Sequence, residues 1–112
     1  VMYYLASTMH VAHAHKMRGH RWADQQSSFD DMKAKVPQTM ADCAAYIENH
    51  AFRGDYVAGD ALSLADPYLF VVSRWLAGDG VDRAAYPRLD AFAARMEDRA
   101  SLKAVRAKGI LA

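Results

Sequence analysis

The stretch from Leu62 to Leu76, "LSLADPYLFVVSRWL", limits the fold more than any other part of this chain. Ser63 followed three residues on by Asp66 is a capping-box pattern. The Ser63 hydroxyl would accept from the Asp66 amide while the Asp66 carboxylate reaches back to the Ser63 amide. Asp is a shorter-armed variant of the usual Glu or Gln. Beyond the box, Leu69, Phe70, Val71, Val72 and Leu76 make the predicted helix apolar nearly all round. A helix of that kind is satisfied only when neighbours surround it, so the remaining chain has to supply a bundle.

The flanking segments have the periodicity to do so. At roughly 100° per residue, Val1, Leu5, Met9 and Ala12 form one stripe of a first helix over about residues 1–17. Tyr3, Ala6, His10, His13 and Met17 form a second stripe on nearly the opposite side. Gly19 then offers a stop. Ser27 and Ser28 are candidate caps for a second helical region, whose stripe Phe29, Met32, Val36, Met40, Cys43, Ile47 steps by three and four. Pro37 lies inside it and predicts a kink or a restart, since proline lacks the amide donor and clashes with the preceding turn. A short helix before Pro37 and a long one to about Phe52 are expected.

"RGDYVAGDAL" reads as a loop, and "AGDGVD" ends the apolar helix. Pro87 suits the first turn of a further helix with Leu89, Phe92, Ala93 and Met96 inward. Ser101 would cap a last short helix carrying Leu102, Val105 and Ile110 and closed by Gly109. No β-alternation, repeat or low-complexity tract is visible. The expectation is one all-α domain over residues 1–112, a bundle of five or six helices.

Composition narrows the function classes. With 112 residues and 53% apolar content the chain can bury a core. Fourteen Lys and Arg against thirteen Asp and Glu leave no basic footprint for nucleic acid or a membrane surface. No apolar run approaches the roughly 20 residues needed to span a bilayer, and "VMYYLASTMH" lacks the basic region and cleavage site of a signal peptide. One cysteine, Cys43, fits a reducing compartment, so a cytoplasmic protein is expected. Val1 has no capping residue ahead of it, which reads as a segment of a longer protein.

The stretch "HVAHAHKMRGH" holds four of the five histidines. His10 and His13 share a face and could place two ligands on one metal. His15 points the other way, His20 lies past Gly19, and no carboxylate or cysteine joins them at a fixed local spacing. No metal site is assigned. Tyr68 and Trp75 are two helical turns apart and share a face, either as core or as a pocket wall. Ser63 and Asp66 are read as a structural cap, because no base stands beside Ser63 to make it a nucleophile. Cys43, within an apolar stripe, is read as an inert buried thiol.

From Tyr56 onward the chain resembles the C-terminal domain of bacterial glutathione transferases, most like the beta class. Three features carry this: the Ser63-x-x-Asp66 box preceded by "GD" and an apolar residue; "YLFVVSRW" from Tyr68 to Trp75; and Tyr86-Pro87 followed by "RMEDR" from Arg95 to Arg99 and a short terminal helix. "LASTMH" resembles the first helix of that domain, with His10 where beta-class members carry an active-site histidine. Val11 stands where the family often has Lys, Pro67 where an apolar residue would complete a hydrophobic staple with Leu62, and Ala100 where it often has Pro.

The resemblance implies a glutathione transferase as the full-length protein, conjugating the glutathione thiolate to small hydrophobic electrophiles. Glutathione, a co-substrate and not a cofactor, would be bound mainly by an N-terminal thioredoxin-like domain outside this chain. This chain alone would then hold no catalytic residue and be inactive. His10 becomes a wall residue of the cleft between domains. Tyr68 and Trp75 would line the electrophile pocket, with Met9, Met17 and Tyr3 completing it. A transferase-like domain used for protein contact without catalysis is the competing expectation. The second stripe of the first helix needs a further surface, so a homodimer through the first two helices is expected.

Overall fold

The first helix departs from regular geometry where its sequence gives no warning. In the computed structural model, which describes residues 1–111, α1 (Met2–Tyr4) runs without a break into a π-helical turn (Leu5–Met9) and then into α2 (His10–Ala14). The His10 amide donates to the Leu5 carbonyl, five residues back. A π turn takes in about one residue more than an α turn, so the residues beyond it lag by about 100°. Leu5 and Met9 are fully buried and Ala12 packs partly against the core, as the first stripe requires, but Val1 is 42% exposed. Tyr3 is 85% exposed and borders a different surface from His10. Gly19 does not terminate the helix, which ends at Ala14. It opens a 3-10 turn (Gly19–Arg21) packed so tightly on Phe29 and Met32 that a Cβ there would lie 3.2 Å from each.

The second region is a single helix, α3 (Gln26–His50), with Pro37 inside it. The expected break does not occur. Pro37 lies on the exposed side, so the Lys33 carbonyl that its missing amide leaves free belongs to an exposed residue. The Thr39 hydroxyl donates to the Val36 carbonyl at 3.2 Å, and the proline ring packs under Gly80. Ser27 and Ser28 are not caps. The helix starts one residue earlier, and the Gln26 side chain donates to Asp30. Val36, Met40, Cys43 and Ile47, the inner part of the predicted stripe, are buried together with Ala44.

Helix α4 (Ala65–Ser73) is the central rod: Leu69, Phe70, Val72 and Ser73 are all buried. Its cap is half of what the pattern predicts. The Ser63 amide donates to the Asp66 carboxylate at 2.7 Å. The Ser63 hydroxyl also donates to that carboxylate, at 3.2 Å, instead of accepting from the Asp66 amide. The other carboxylate oxygen accepts from the Val57 amide at 3.0 Å. Asp66 is fully buried and ties the preceding loop to the helix start from both ends. Turns carry the chain from Arg74 to Gly80, whose φ of +87° lets the Val81 amide return to the Leu76 carbonyl at 2.9 Å.

Helix α5 (Pro87–Glu97) buries Leu89, Phe92, Ala93 and Met96 as predicted. Its start is capped from another helix: the Glu48 carboxylate of α3 accepts from the Arg88 and Leu89 amides, each at 3.0 Å. The last helix, α6 (Ala100–Ala107), has no Ser101 side-chain cap, and Ile110 is 73% exposed, not inward. Gly109, at φ +72°, closes it as predicted through Gly109 and Ile110 amides bonded to the Arg106 and Val105 carbonyls. Counting the first helix as one rod, the described residues form a five-helix all-α bundle without strands, apart from one isolated bridge between Tyr56 and Gly59. None of these helices is long and apolar enough to cross a membrane.

Candidate functional site

The first helix and the central rod meet through an aromatic cluster. Consecutive turns of α2 bring His10 and His13 to the same side, facing Tyr68 of α4 and Trp75 in the turns that follow it. His10 Nδ1 lies 2.9 Å from the Tyr68 hydroxyl, and its ring centroid is 5.0 Å from that of Trp75. His13 lies flat on Trp75, with centroids 4.2 Å apart and planes within 17°. On its other side His13 Nδ1 is 2.6 Å from the Asp79 carboxylate, which is buried in the turn after Trp75. Lys16 donates to the Gly78 carbonyl and stands 3.8 Å from the second Asp79 oxygen.

Six residues were expected at the site from the sequence, and the structure gathers three. His10, Tyr68 and Trp75 are together. Met9, one residue from His10, is fully buried in the core and presents nothing to a cleft. Tyr3 lies at the far side of the π turn, on a surface shared with His50 and Leu64. Met17 is 73% exposed beyond the end of α2. The residues that sequence reasoning passed over are His13, Asp79 and Lys16. His13 shares a face with His10 at i, i+3, so its place was legible. Asp79 sits in "AGDG", a segment whose composition says only that a helix stops.

Chemically the cluster sets one polar contact point beside an aromatic surface. With Nδ1 engaged by Tyr68, the Nε2 of exposed His10 is left to hydrogen-bond a polar group placed against it. The partly exposed indole of Trp75 offers an apolar face. His15 is taken up locally, bonded to the Val11 carbonyl and stacked on Trp22. Among the described residues no three His, Cys, Asp or Glu side chains converge as a metal site would require. Cys43 is buried, and desolvation raises its thiol pKa despite a hydrogen bond with Tyr4 that lowers it, which leaves it a poor nucleophile.

A concavity of about 800 Å³ opens on the other side of the first helix, toward α3. Tyr4, Ser7, Thr8, Val11, Met32 and Lys35 are among its lining residues. It shares no residue with the His10 cluster.

Residues 13–109 match the family described as "Glutathione S-transferase, C-terminal domain". The chain belongs to that family. Among curated relatives, Glutathione S-transferase GST-4.5 of Xanthomonas campestris pv. campestris is 34% identical over 86 residues, covering 76% of this chain and 40% of that protein. Among solved structures, a glutathione transferase homologue from Sulfitobacter with bound glutathione superposes with a TM-score of 0.96 at 66% identity, over 98% of this chain and 53% of that one. A beta-class glutathione S-transferase from Sphingomonas chungbukensis gives 0.75 at 27% identity, over 96% and 51%. The chain therefore spans about half, or less, of the length of these transferases. The all-α bundle is the helical C-terminal domain of the glutathione transferase fold.

Proposed function

We propose that the full-length protein is a glutathione transferase that joins the glutathione thiolate to small hydrophobic electrophiles, and that this domain supplies the electrophile-facing wall. The observation that carries this reading is the His10–Tyr68 pair set beside Trp75: one polar contact point against an apolar aromatic surface. Its likeness to the Sulfitobacter protein supports glutathione as the co-substrate. A wall of this kind contributes proximity and a water-poor environment, while thiol binding and deprotonation fall to a second, N-terminal domain. Tyr3, Met9 and Met17 lie outside this cluster, and the wall proposed here is built from His10, Tyr68 and Trp75. The isolated chain carries no group to activate a thiol and is expected to be inert.

The assembly proposed is a homodimer through the first helix and α3, in a cytoplasmic, detoxifying enzyme. Tyr3, Ala6, His10 and Met17 are exposed and the cleft toward α3 is open, so these faces have apolar and aromatic surface left to cover. Sedimentation of the full-length protein at micromolar concentration should give a dimer, and a clean monomer overturns that part.

The test of the activity is conjugation of a chloronitrobenzene by the full-length gene product. Conjugation well above the uncatalysed rate is expected, and His10→Ala should lower kcat/KM about tenfold, the value of one hydrogen bond near 1.4 kcal/mol. A full-length protein that binds neither glutathione nor electrophile would sink the reading and leave a protein-contact domain.

A further inference from the structure

Asp79 is the least expected side chain in this bundle. It is a carboxylate with 1% side-chain exposure, lying in a turn beyond the central helix, and burial of that kind demands a directional partner. One oxygen has it, His13 Nδ1 at 2.6 Å. The other accepts no hydrogen bond among the described residues and has only the Lys16 ammonium at 3.8 Å. A carboxylate on one imidazole nitrogen fixes the ring's tautomer and its plane. The ring so fixed lies at 4.2 Å on the indole of Trp75, nearly parallel to it. A second neighbour of that indole is His10, tilted at 55° and itself bonded to Tyr68.

We propose that Asp79 and His13 form a brace that sets the position of Trp75, making both of them positioning residues for the electrophile wall. Asp79 holds His13 through Nδ1, His13 holds the indole by stacking, and the indole meets the electrophile. The brace crosses from the first helix to the turn after the central one, so it also fixes the spacing between His10 and Trp75. The use made of that wall rests on the transferase reading above; the brace itself does not.

Two readouts separate the two. In a Trp22→Phe background the emission of the full-length protein's C-terminal domain at Trp75 is compared among Asp79→Ala, Asp79→Asn and His13→Ala by quenching with acrylamide, after far-UV circular dichroism confirms folding. Tryptophans elsewhere in the full-length protein are replaced by Phe in the same background. Asp79→Ala and His13→Ala should raise the quenching of Trp75, and Asp79→Asn, whose carboxamide oxygen still accepts from Nδ1, should restore it. If Asp79→Ala fails to fold, His13→Ala against Asp79→Asn decides. In the conjugation assay, the two alanine variants should raise KM for the chloronitrobenzene roughly two- to tenfold, the range spanned by a lost aromatic contact. Their kcat should stay within about twofold. Unchanged quenching in folded His13→Ala, or Asp79→Asn as impaired as Asp79→Ala, overturns the brace. Loss of all conjugation by the wild-type protein would instead remove the transferase reading and leave the quenching result to stand alone.

Discussion

The first helix has two working sides, and they are built on opposite principles. Toward the central rod, His10 and His13 meet Tyr68, Trp75 and Asp79 through bonds of 2.6–2.9 Å and stacked rings, so each ring is held in a set direction. Toward α3 the same helix faces an open cleft of about 800 Å³ lined by Tyr4, Val11 and Met32 together with short hydroxyls, Lys35 and Asp42. One side is positioned and the other is accommodating. A wall that must present an aromatic face in one orientation needs the first kind of construction. A surface left to be covered by something else needs only the second.

The contrast can be broken most sharply at the anchor of the positioned side. Asp66→Ala removes the acceptor for the Val57 and Ser63 amides and should cost about 2–4 kcal/mol of stability. Asp42→Ala, exposed at the cleft, should stay within about 0.5 kcal/mol. Urea denaturation of both variants checks the pair, and equal losses would erase the distinction. Next in size is the effect of phase. Inserting one alanine between Met9 and His10 adds a residue beyond the π turn and should rotate His10 away from Tyr68 by about 100°. Conjugation by the full-length protein should then fall about tenfold or more, with the helical content kept.

A smaller effect tests the floor of the cleft. Desolvation raises the Cys43 pKa, and Tyr4 beside it is raised by its own burial and by their hydrogen bond. Cys43 should therefore react with Ellman's reagent at pH 8 far more slowly than free cysteine, and at full speed once urea unfolds the chain. Because the folded thiol pKa is the higher one, the stability it confers is complete below the unfolded value of about 8.5 and is lost as pH rises through the folded value. The smallest effect lies away from both sides. The hydrogen bond from Arg106 holds the Glu97 carboxyl below its usual range, although the pair is largely solvated. Its contribution is complete above the ordinary Glu pKa and lost as pH falls through the lowered one. Amide exchange in α6 should accelerate below about pH 4 relative to α5.

Much of this architecture is legible in residue order because it depends on local spacing. The central rod, the Pro87 start, the inward stripe of α5 and the Gly109 stop follow from neighbours within four residues, where helical geometry dictates the contacts. So does the pairing of Tyr68 with Trp75. What was not legible was non-local or irregular. The π turn breaks the 100° phase on which Tyr3 was assigned to the face of His10. Pro37 was read from its intrinsic cost, but the helix tolerates it because its exposed side leaves the Lys33 carbonyl to solvent and because Gly80, with no Cβ, makes room for the ring. Met9 fits two duties by its type, core and pocket, and the bundle buries it fully. Asp79 joins His13 across 66 residues, and no spacing rule reaches that far.

The carboxylate of Glu48 at the head of α5 changes how this chain can assemble. Helix α5 has no capping side chain of its own, and its first amides find their acceptor on a residue about forty positions earlier. Its first turn is therefore completed only after α3 has formed and docked. Short helices are marginal alone, so a partly folded chain holding α5 without α3 has little to retain it. Order in the last third of the sequence is licensed by the first half, and the bundle should lose both together in a single transition, without a stable half-molecule.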